Sequence, residues 1–286
     1  MRLDGERERM DMSRKILFLK YPWGVSWTGM LLIAGEQNIL MDTGLPETIG
    51  DFLLPRLHSE GVSPGSLKWV LNTHSHSDHA GGNRNLRGVC HAVFGIHRSG
   101  AEELRRSGCP PDLLLEDGMV LPCGDTRIRV IHTPGHSPDS VCYLDVESGT
   151  LFTGDALQGG GTPYSGIALY QDPVAYRESV DRIEALYRSG ACARIFCGHE
   201  CPPYEGTVEG TRIPEFLSLC RDASLRYTSA AGEYLGRHPD ADAGKVGAFL
   251  LAEFGVGKNP SMPELPRLTA EAHLRELRGC GRRNRS

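Results

Sequence analysis

Hydrophobic and polar positions divide the chain up to residue 205 into short apolar runs separated by polar turns. The apolar runs predict strands at residues 16–19, 30–34, 38–41, 67–71, 88–93, 119–121, 126–131, 141–146, 150–153 and 194–197. Apolar positions at helical spacing predict helices over residues 46–60, 99–106 and 173–188. The first two thirds of the chain therefore combine many short strands with a few helices.

The pattern changes beyond residue 211. Helical spacing over residues 214–235, 244–254 and 269–278 predicts three helices, and a proline-rich connector lies at residues 257–266. This change predicts a main domain over residues 14–210 and a helical region over residues 211–281.

A motif rich in histidine follows the predicted strand at residues 67–71. His74 and His76 are two residues apart, so on an extended backbone they point the same way and can bind one ion. Asp78 and His79 follow where the chain must turn, so they can face a second point. The motif therefore predicts two adjacent metal ions.

Three later strand ends carry the same kinds of side chain: His136, Asp155 and His199. The spacing predicts one ion held by His74, His76 and His136, a second held by Asp78, His79 and His199, and Asp155 as a bridge. Nitrogen and oxygen donors without thiolate suit two divalent ions, with Zn²⁺ expected and Fe or Mn left open. Two such ions lower the pKa of a shared water, which predicts hydrolytic chemistry.

Asp42, at the end of the strand at residues 38–41, allows two interpretations. It forms a tight turn and nothing more, or it orients a ligand histidine from outside the metal site.

Composition excludes several classes of protein. With 286 residues, a net charge of −5 and a pI near 6.1, the chain has no basic footprint for nucleic acid. No run of about 18 apolar residues or signal-peptide pattern occurs, so no membrane partner is expected. Nine scattered cysteines do not form a disulfide framework, which favours a cytoplasmic location.

The motifs at residues 73–79, 133–136, 152–155 and 197–200 resemble those of the metallo-β-lactamase superfamily. The resemblance covers roughly residues 16–205 and implies an α+β fold: a four-layer αβ/βα sandwich with its site at one edge. Residues 14–210 would then be the catalytic domain. The C-terminal helices resemble a winged-helix-like appendage of some superfamily hydrolases, but a helical cap is favoured because they lack a basic face.

Within the superfamily, the donor set is similar to that of glyoxalase II-type thioesterases, lactonases and phosphodiesterases. Residues 159–162 replace the Gly-Cys-Gly-Arg stretch of glyoxalase II, which argues against glutathione thioesters. Gln158 stands where acyl-homoserine lactonases place a tyrosine, and persulfide dioxygenases would not need His199.

These observations predict a dinuclear hydrolase that cleaves ester, thioester or lactone bonds of a small acyl substrate through a metal-bridging hydroxide. Asp78 is predicted to act in catalysis by orienting that nucleophile, and Tyr164, Tyr170 and Tyr204 are candidates to donate a hydrogen bond to the oxyanion. The alternatives are a phosphodiesterase or ribonuclease on the same metals, and a non-haem iron redox enzyme. The assembly stays open, with a homodimer as one candidate.

Overall fold

Two six-stranded sheets form the centre of the computed structural model, which describes residues 14–24, 26–162, 166–260 and 262–283. The first sheet contains, in spatial order, β1 (Lys15–Trp23), β2 (Ser26–Ala34), β3 (Asn38–Met41), β4 (Leu67–Leu71), β5 (Val93–His97) and β6 (Leu113–Leu115). The second sheet contains β7 (Val120–Cys123), β8 (Thr126–His132), β9 (Val141–Asp145), β10 (Thr150–Phe152), β11 (Arg194–Phe196) and β12 (Thr207–Glu209), also in spatial order.

Both sheets are mixed. In the first sheet β1, β2 and β3 pair antiparallel, whereas β3 to β6 run parallel. In the second sheet only β10 and β11 are parallel neighbours.

Eight α-helices surround the sheets in the described part of the chain. They are α1 (Leu54–Ser59), α2 (Ser77–Ala80), α3 (Asn83–Arg87), α4 (Ala101–Arg106), α5 (Pro173–Arg188), α6 (Ile213–Arg237), α7 (Ala243–Glu253) and α8 (Leu265–Arg283).

Strand β2 explains how the layers are held together. Leu31 and Ile33 point into the core between the two sheets, whereas Met30 and Leu32 point to the outer face covered by α1. Successive side chains of a strand point to opposite faces, and here both faces are buried, so the strand is apolar at every one of these positions.

The helices after residue 211 pack on the outer face of the second sheet. Phe216 and Leu217 of α6 and Leu274 of α8 belong to the same hydrophobic cluster as Leu144 and Ile195 of the sheet. The predicted αβ/βα sandwich with a C-terminal helical region is therefore confirmed. The division into domains at residues 210 and 211 stays a prediction, since this cluster is continuous across it.

Several predicted boundaries were wrong. The predicted strand at residues 88–93 begins only at Val93, because the backbone N–H groups of Val89 and Cys90 both donate to the Leu86 carbonyl and close the end of α3. The predicted helix at residues 46–60 begins at Ile49 with a π-helical turn (Ile49–Leu53) that continues into α1. A turn in which Thr48 Oγ1 accepts from Leu45 N at 3.0 Å precedes it.

Two short strands and one helix start also differ from the prediction. Strands β6 and β12 were missed because each has only three residues, too few to show a period. Strand β11 is consequently not the last strand. Helix α8 begins at Leu265, four residues before the predicted start at Thr269.

Two expectations from composition concern membranes and thiols. Within the described ranges, no helix combines the length and the apolar character needed to cross a bilayer. The eight cysteines from Cys90 to Cys220 are buried free thiols.

Candidate metal centre

The histidine motif lies where the two sheets meet at one edge. It follows β4 and crosses to the second sheet, where the Tyr143 hydroxyl donates to the Asn72 carbonyl at 2.6 Å and Val141 N donates to the Thr73 carbonyl at 2.9 Å. Helix α2 then carries Asp78 and His79 back toward the same edge. The loop is thus clamped to both sheets.

The first group of donors consists of His74, His76 and His136. The Nε2 atoms of His74 and His136 each lie 3.0 Å from Nδ1 of His76. Three ring nitrogens that converge at this spacing can each reach one ion at the roughly 2.0–2.1 Å of a Zn–N bond.

The second group consists of Asp78, His79 and His199. The Nε2 atoms of the two histidines are 3.3 Å apart, and Asp78 Oδ2 lies 3.1 Å from His199 Nε2. Asp155 stands between the two groups, with Oδ1 3.2 Å from His79 Nε2 and Oδ2 3.6 Å from His136 Nε2. One carboxylate can therefore contact ions in both groups.

Outer hydrogen bonds show which ring nitrogens are free to bind. Asp42 Oδ2 lies 2.8 Å from His79 Nδ1, and the Trp27 carbonyl lies 2.7 Å from His199 Nδ1. Each of these acceptors places the proton on Nδ1, so the two Nε2 lone pairs face each other and the Asp155 carboxylate. Asp155 Oδ1 is buried yet accepts no hydrogen bond from a described residue. Such a concentration of lone pairs fits divalent cations.

Asp42 also organises the first group. It accepts from Thr73 N at 2.7 Å and from Thr73 Oγ1 at 2.8 Å, and Thr73 Oγ1 lies 3.1 Å from His74 Nδ1. Asp42 has a left-handed φ of 61°, and Gly154 must stay small because a Cβ there would lie 2.3 Å from Thr73 Oγ1. Burial raises the pKa of Asp42, against the contacts with His79 and Thr73. Of the two interpretations of Asp42, the structure favours the orienting one.

The pKa shifts show where positive charge is favoured. Burial lowers the pKa of His79, but the Asp155 and Asp78 carboxylates outweigh it and raise that pKa to about 10. Burial also acts against charge on His199, yet Asp155 raises its pKa well above the ordinary value. Burial raises the pKa of Asp155, but His199 and His79 lower it well below its usual range. Burial lowers the pKa of His136 to about 4. The second group therefore attracts a cation strongly.

Gln158 supports the first group from the opposite side. It accepts from Leu169 N at 3.1 Å and donates to the Leu169 carbonyl at 2.9 Å, and that carbonyl lies 3.2 Å from His136 Nδ1. The side chain that stands in place of a lactonase tyrosine thus holds the segment that orients His136.

A cavity of about 410 Å³ opens above both groups. His76, Asp78, His136, Asp155 and His199 form its floor, and no Lys or Arg is found among its described lining residues. Its walls are largely apolar and include Leu157, Ile167, Leu169, Met262, Leu265 and Leu268.

The structure brings all seven predicted ligands together. His132, at the end of β8, lies apart, stacked on His97 with 4.0 Å between ring centroids. Leu265 and Leu268 were missed as wall residues, although their spacing of three already places them on one helical face.

The tyrosine candidates were wrong where they can be compared with the structure. Tyr170 is fully buried and packs edge-on against Tyr176, and Tyr204 packs edge-on against Phe216. Neither lines the cavity, so both are packing residues. Tyr164 lies outside the described residues.

Comparison with known proteins extends these observations. The chain is 34% identical over 137 residues to a hydroxyacylglutathione hydrolase of Maricaulis maris, covering 47% of this chain and 49% of that protein. It is 28% identical over 210 residues to an acyl-coenzyme A thioesterase of Homo sapiens, covering 59% of this chain and 71% of that protein. The chain spans about half the length of the first curated relatives that it matches.

A solved structure shares the fold. The crystal structure of a metallo-beta-lactamase family protein from Thermus thermophilus superposes with a TM-score of 0.70 at 22% identity, covering 94% of each chain. The family profile of the metallo-beta-lactamase superfamily matches residues 22–199, which include all seven candidate ligands. The chain therefore belongs to the metallo-β-lactamase superfamily.

Proposed function

We propose that this chain hydrolyses a thioester, ester or lactone of a small acyl substrate with two divalent metal ions. The observation that carries the proposal is the pair of donor groups joined by Asp155 beneath an apolar cavity. His74, His76 and His136 would hold one ion and Asp78, His79 and His199 the other, with Asp155 between them. The metal is expected to be zinc, with iron or manganese as alternatives.

When bound, two divalent ions supply a nucleophilic hydroxide at neutral pH and polarise the substrate carbonyl. The chain's own residues supply the orientation. Asp78, whose Oδ2 faces the second donor group, would also orient the nucleophile toward the carbonyl carbon. Hydrogen bonds donated by His79 Nδ1 to Asp42 and by His199 Nδ1 to the Trp27 carbonyl keep the two rings in the binding tautomer.

The cavity favours a carbonyl substrate. A phosphodiester carries a full negative charge before it reacts, and the described walls offer no Lys or Arg to balance that charge. An acyl chain, in contrast, gains about 25 cal/mol per Å² of apolar surface that it buries against walls such as Leu157 and Leu265. The thioesterase relative supports the same choice.

The test combines metal content with a substrate panel. Protein purified without added metal would be assayed by elemental analysis and offered a thioester, a lactone and a phosphodiester. We expect about two metal ions per chain and hydrolysis of a carbonyl substrate.

His76→Ala should lose metal and activity while keeping its fold, and His238→Ala, at an exposed histidine, is the matched control. One iron per chain with no hydrolysis would instead favour the redox alternative, and full activity of a metal-poor His76→Ala would overturn the proposal.

A further inference from the structure

The metal cavity continues along the surface of α8. It shares Gln171 and Leu268 with a neighbouring groove of about 750 Å³, which is also lined by Pro134, Gly135, Ser137 and Pro138. That groove shares Glu271 and Arg275 with a third hollow of about 520 Å³. The three hollows therefore adjoin one another along α8, from the metal groups past α5 to the start of α7, and we call this row of hollows the track.

One face of α8 runs beside the whole track. Leu265, Leu268, Glu271, Arg275 and Arg278 line it in succession, and their spacings of three or four residues place them on one side of the helix. At a rise of about 1.5 Å per residue, Leu265 and Arg278 are roughly 20 Å apart along the axis. The track is therefore much longer than an acyl carbonyl needs.

The opposite wall of the groove is rigid. The backbone N–H groups of Gln171 and Asp172 donate to the Gly135 carbonyl at 2.8 and 2.9 Å, and Ser179 Oγ donates to the Pro134 carbonyl at 2.7 Å. This wall belongs to the loop that carries His136. A molecule in the groove would thus be held at a fixed offset from the first donor group.

The chemistry changes along the track. The metal end is apolar and the middle presents acceptors on Asp172 and Glu271, whereas Arg275 and Arg278 lie toward the far end, in a hollow that Asp242 also lines. Glu271 pairs with Arg267 at 3.1 Å and with Arg275 at 3.6 Å.

Arg278 differs from the other two arginines. It is exposed, and it makes no ion pair with any residue that the structure describes. Its guanidinium is therefore available to an anion at the end of the track.

We propose that this track holds the leaving-group arm of the substrate, and that the arm is phosphopantetheine. Such an arm has a thiol at one end, two amide N–H donors in the middle and a phosphate at the other end, which matches the order of surfaces from the metals to Arg278. The inference rests on the proposed function. Water adds its oxygen to the acyl carbon as the C–S bond breaks, and the departing sulfur takes a proton, so a carboxylic acid and a free thiol leave.

Binding tests the track without any need for turnover. The affinities of S-hexyl-4′-phosphopantetheine and S-hexyl-pantetheine, which lacks only the phosphate, would be measured by calorimetry on the wild-type chain. We expect the phosphate-bearing probe to bind about 10-fold tighter at low salt, and the advantage to shrink as salt screens it. Arg278→Glu should abolish that advantage. Arg188→Glu, on the exposed end of α5, is the matched control and should retain it.

Each outcome separates this inference from the proposed function. Equal affinities for the two probes, or equal effects of Arg278→Glu and Arg188→Glu, would overturn the track. Failure of the metal-loaded chain to cleave even a hexanoyl N-acetylcysteamine thioester, which has no phosphate arm, would overturn the proposed function instead. A lower KM for hexanoyl-coenzyme A than for a hexanoyl carrier protein would identify the coenzyme as the source of the arm, and the reverse order would identify the carrier protein; both support the track.

Discussion

The cavity has two walls of very different construction. Behind the wall formed by the strand ends, His74 and His79 are fully buried, and their hydrogen bonds with Thr73 and Asp42 fix their ring orientation. On the wall formed by the C-terminal helices, Met262 and Leu268 are 41% and 40% exposed and make only apolar contacts with the cavity.

This difference separates chemistry from selectivity. Metal chemistry requires donor atoms placed within a few tenths of an ångström, so its side chains are held by further hydrogen bonds inside the sheets. Binding of an apolar chain depends mainly on buried area, so a partly exposed leucine and a methionine suffice beside the buried Leu265. Changes to the two walls should therefore affect different observables.

The largest effect should follow from Asp155→Ala, which removes the carboxylate between the two donor groups. We expect thioester hydrolysis to fall by about 10³-fold, because the proposed bridging ligand and the charge that attracts both ions would be lost. Elemental analysis should show fewer metal ions per chain. Asp51→Ala, an acid in the first turn of a surface helix, serves as the control. Normal turnover by a metal-depleted Asp155→Ala would contradict the role assigned to this residue.

Among changes to the strand-end wall, Asp42→Asn should have the next largest effect. Asparagine keeps the shape and tolerates the left-handed φ, but its amide cannot accept as a carboxylate from His79 and Thr73 together. We expect metal affinity to fall by about 10- to 100-fold in competition with a chelator. An unchanged affinity would mean that Asp42 acts only as a turn residue.

Acid should lower the free energy of unfolding through His273, a residue behind the helical wall. His273 is buried between α6 and α8, and its Nδ1 lies 2.8 Å from Thr228 Oγ1. Burial, assisted by Arg177, lowers its pKa to about 3 in the folded chain, against about 6.5 when unfolded. Between these values the unfolded chain binds more protons, so stability falls as the pH decreases from 6.5. At pH 5 His273 therefore lowers the unfolding free energy by about 2 kcal/mol relative to neutral pH.

Urea unfolding at pH 7 and pH 5 would check this contribution. His273→Gln should lose less stability on acidification than the wild type, whereas His238→Gln, at an exposed site, should lose as much as the wild type. Identical losses in all three proteins would show that His273 does not contribute to the pH dependence of the unfolding free energy.

The smallest effect should come from Leu268→Ala. Because this leucine is 40% exposed, its truncation removes only part of a side chain's apolar contact with the acyl group. We expect KM for a long acyl thioester to rise by about 3- to 10-fold, with little change for an acetyl thioester. Leu225→Ala, equally apolar and 46% exposed on α6, is the control. Equal changes for both acyl lengths would exclude Leu268 from the acyl-binding wall.

Local patterns predicted the elements that carry strong local signals. Helix α5 begins at Pro173 and ends at Arg188 as predicted, because Asp172 caps it and apolar residues recur at helical spacing. The shortest strands and the start of α8 could not be predicted, because a strand of three residues is stabilised by its neighbours rather than by its own pattern.

The sequence by itself determined the donor set and the family. The donors follow apolar strands, so their types and order along the chain can be identified without coordinates. Only the tertiary structure decided which atoms face each other, that Asp42 orients both His74 and His79, and that α8 forms a wall of the cavity. Contacts between residues far apart in the chain depend on packing of whole layers, and no local pattern of hydrophobic and polar positions records that packing.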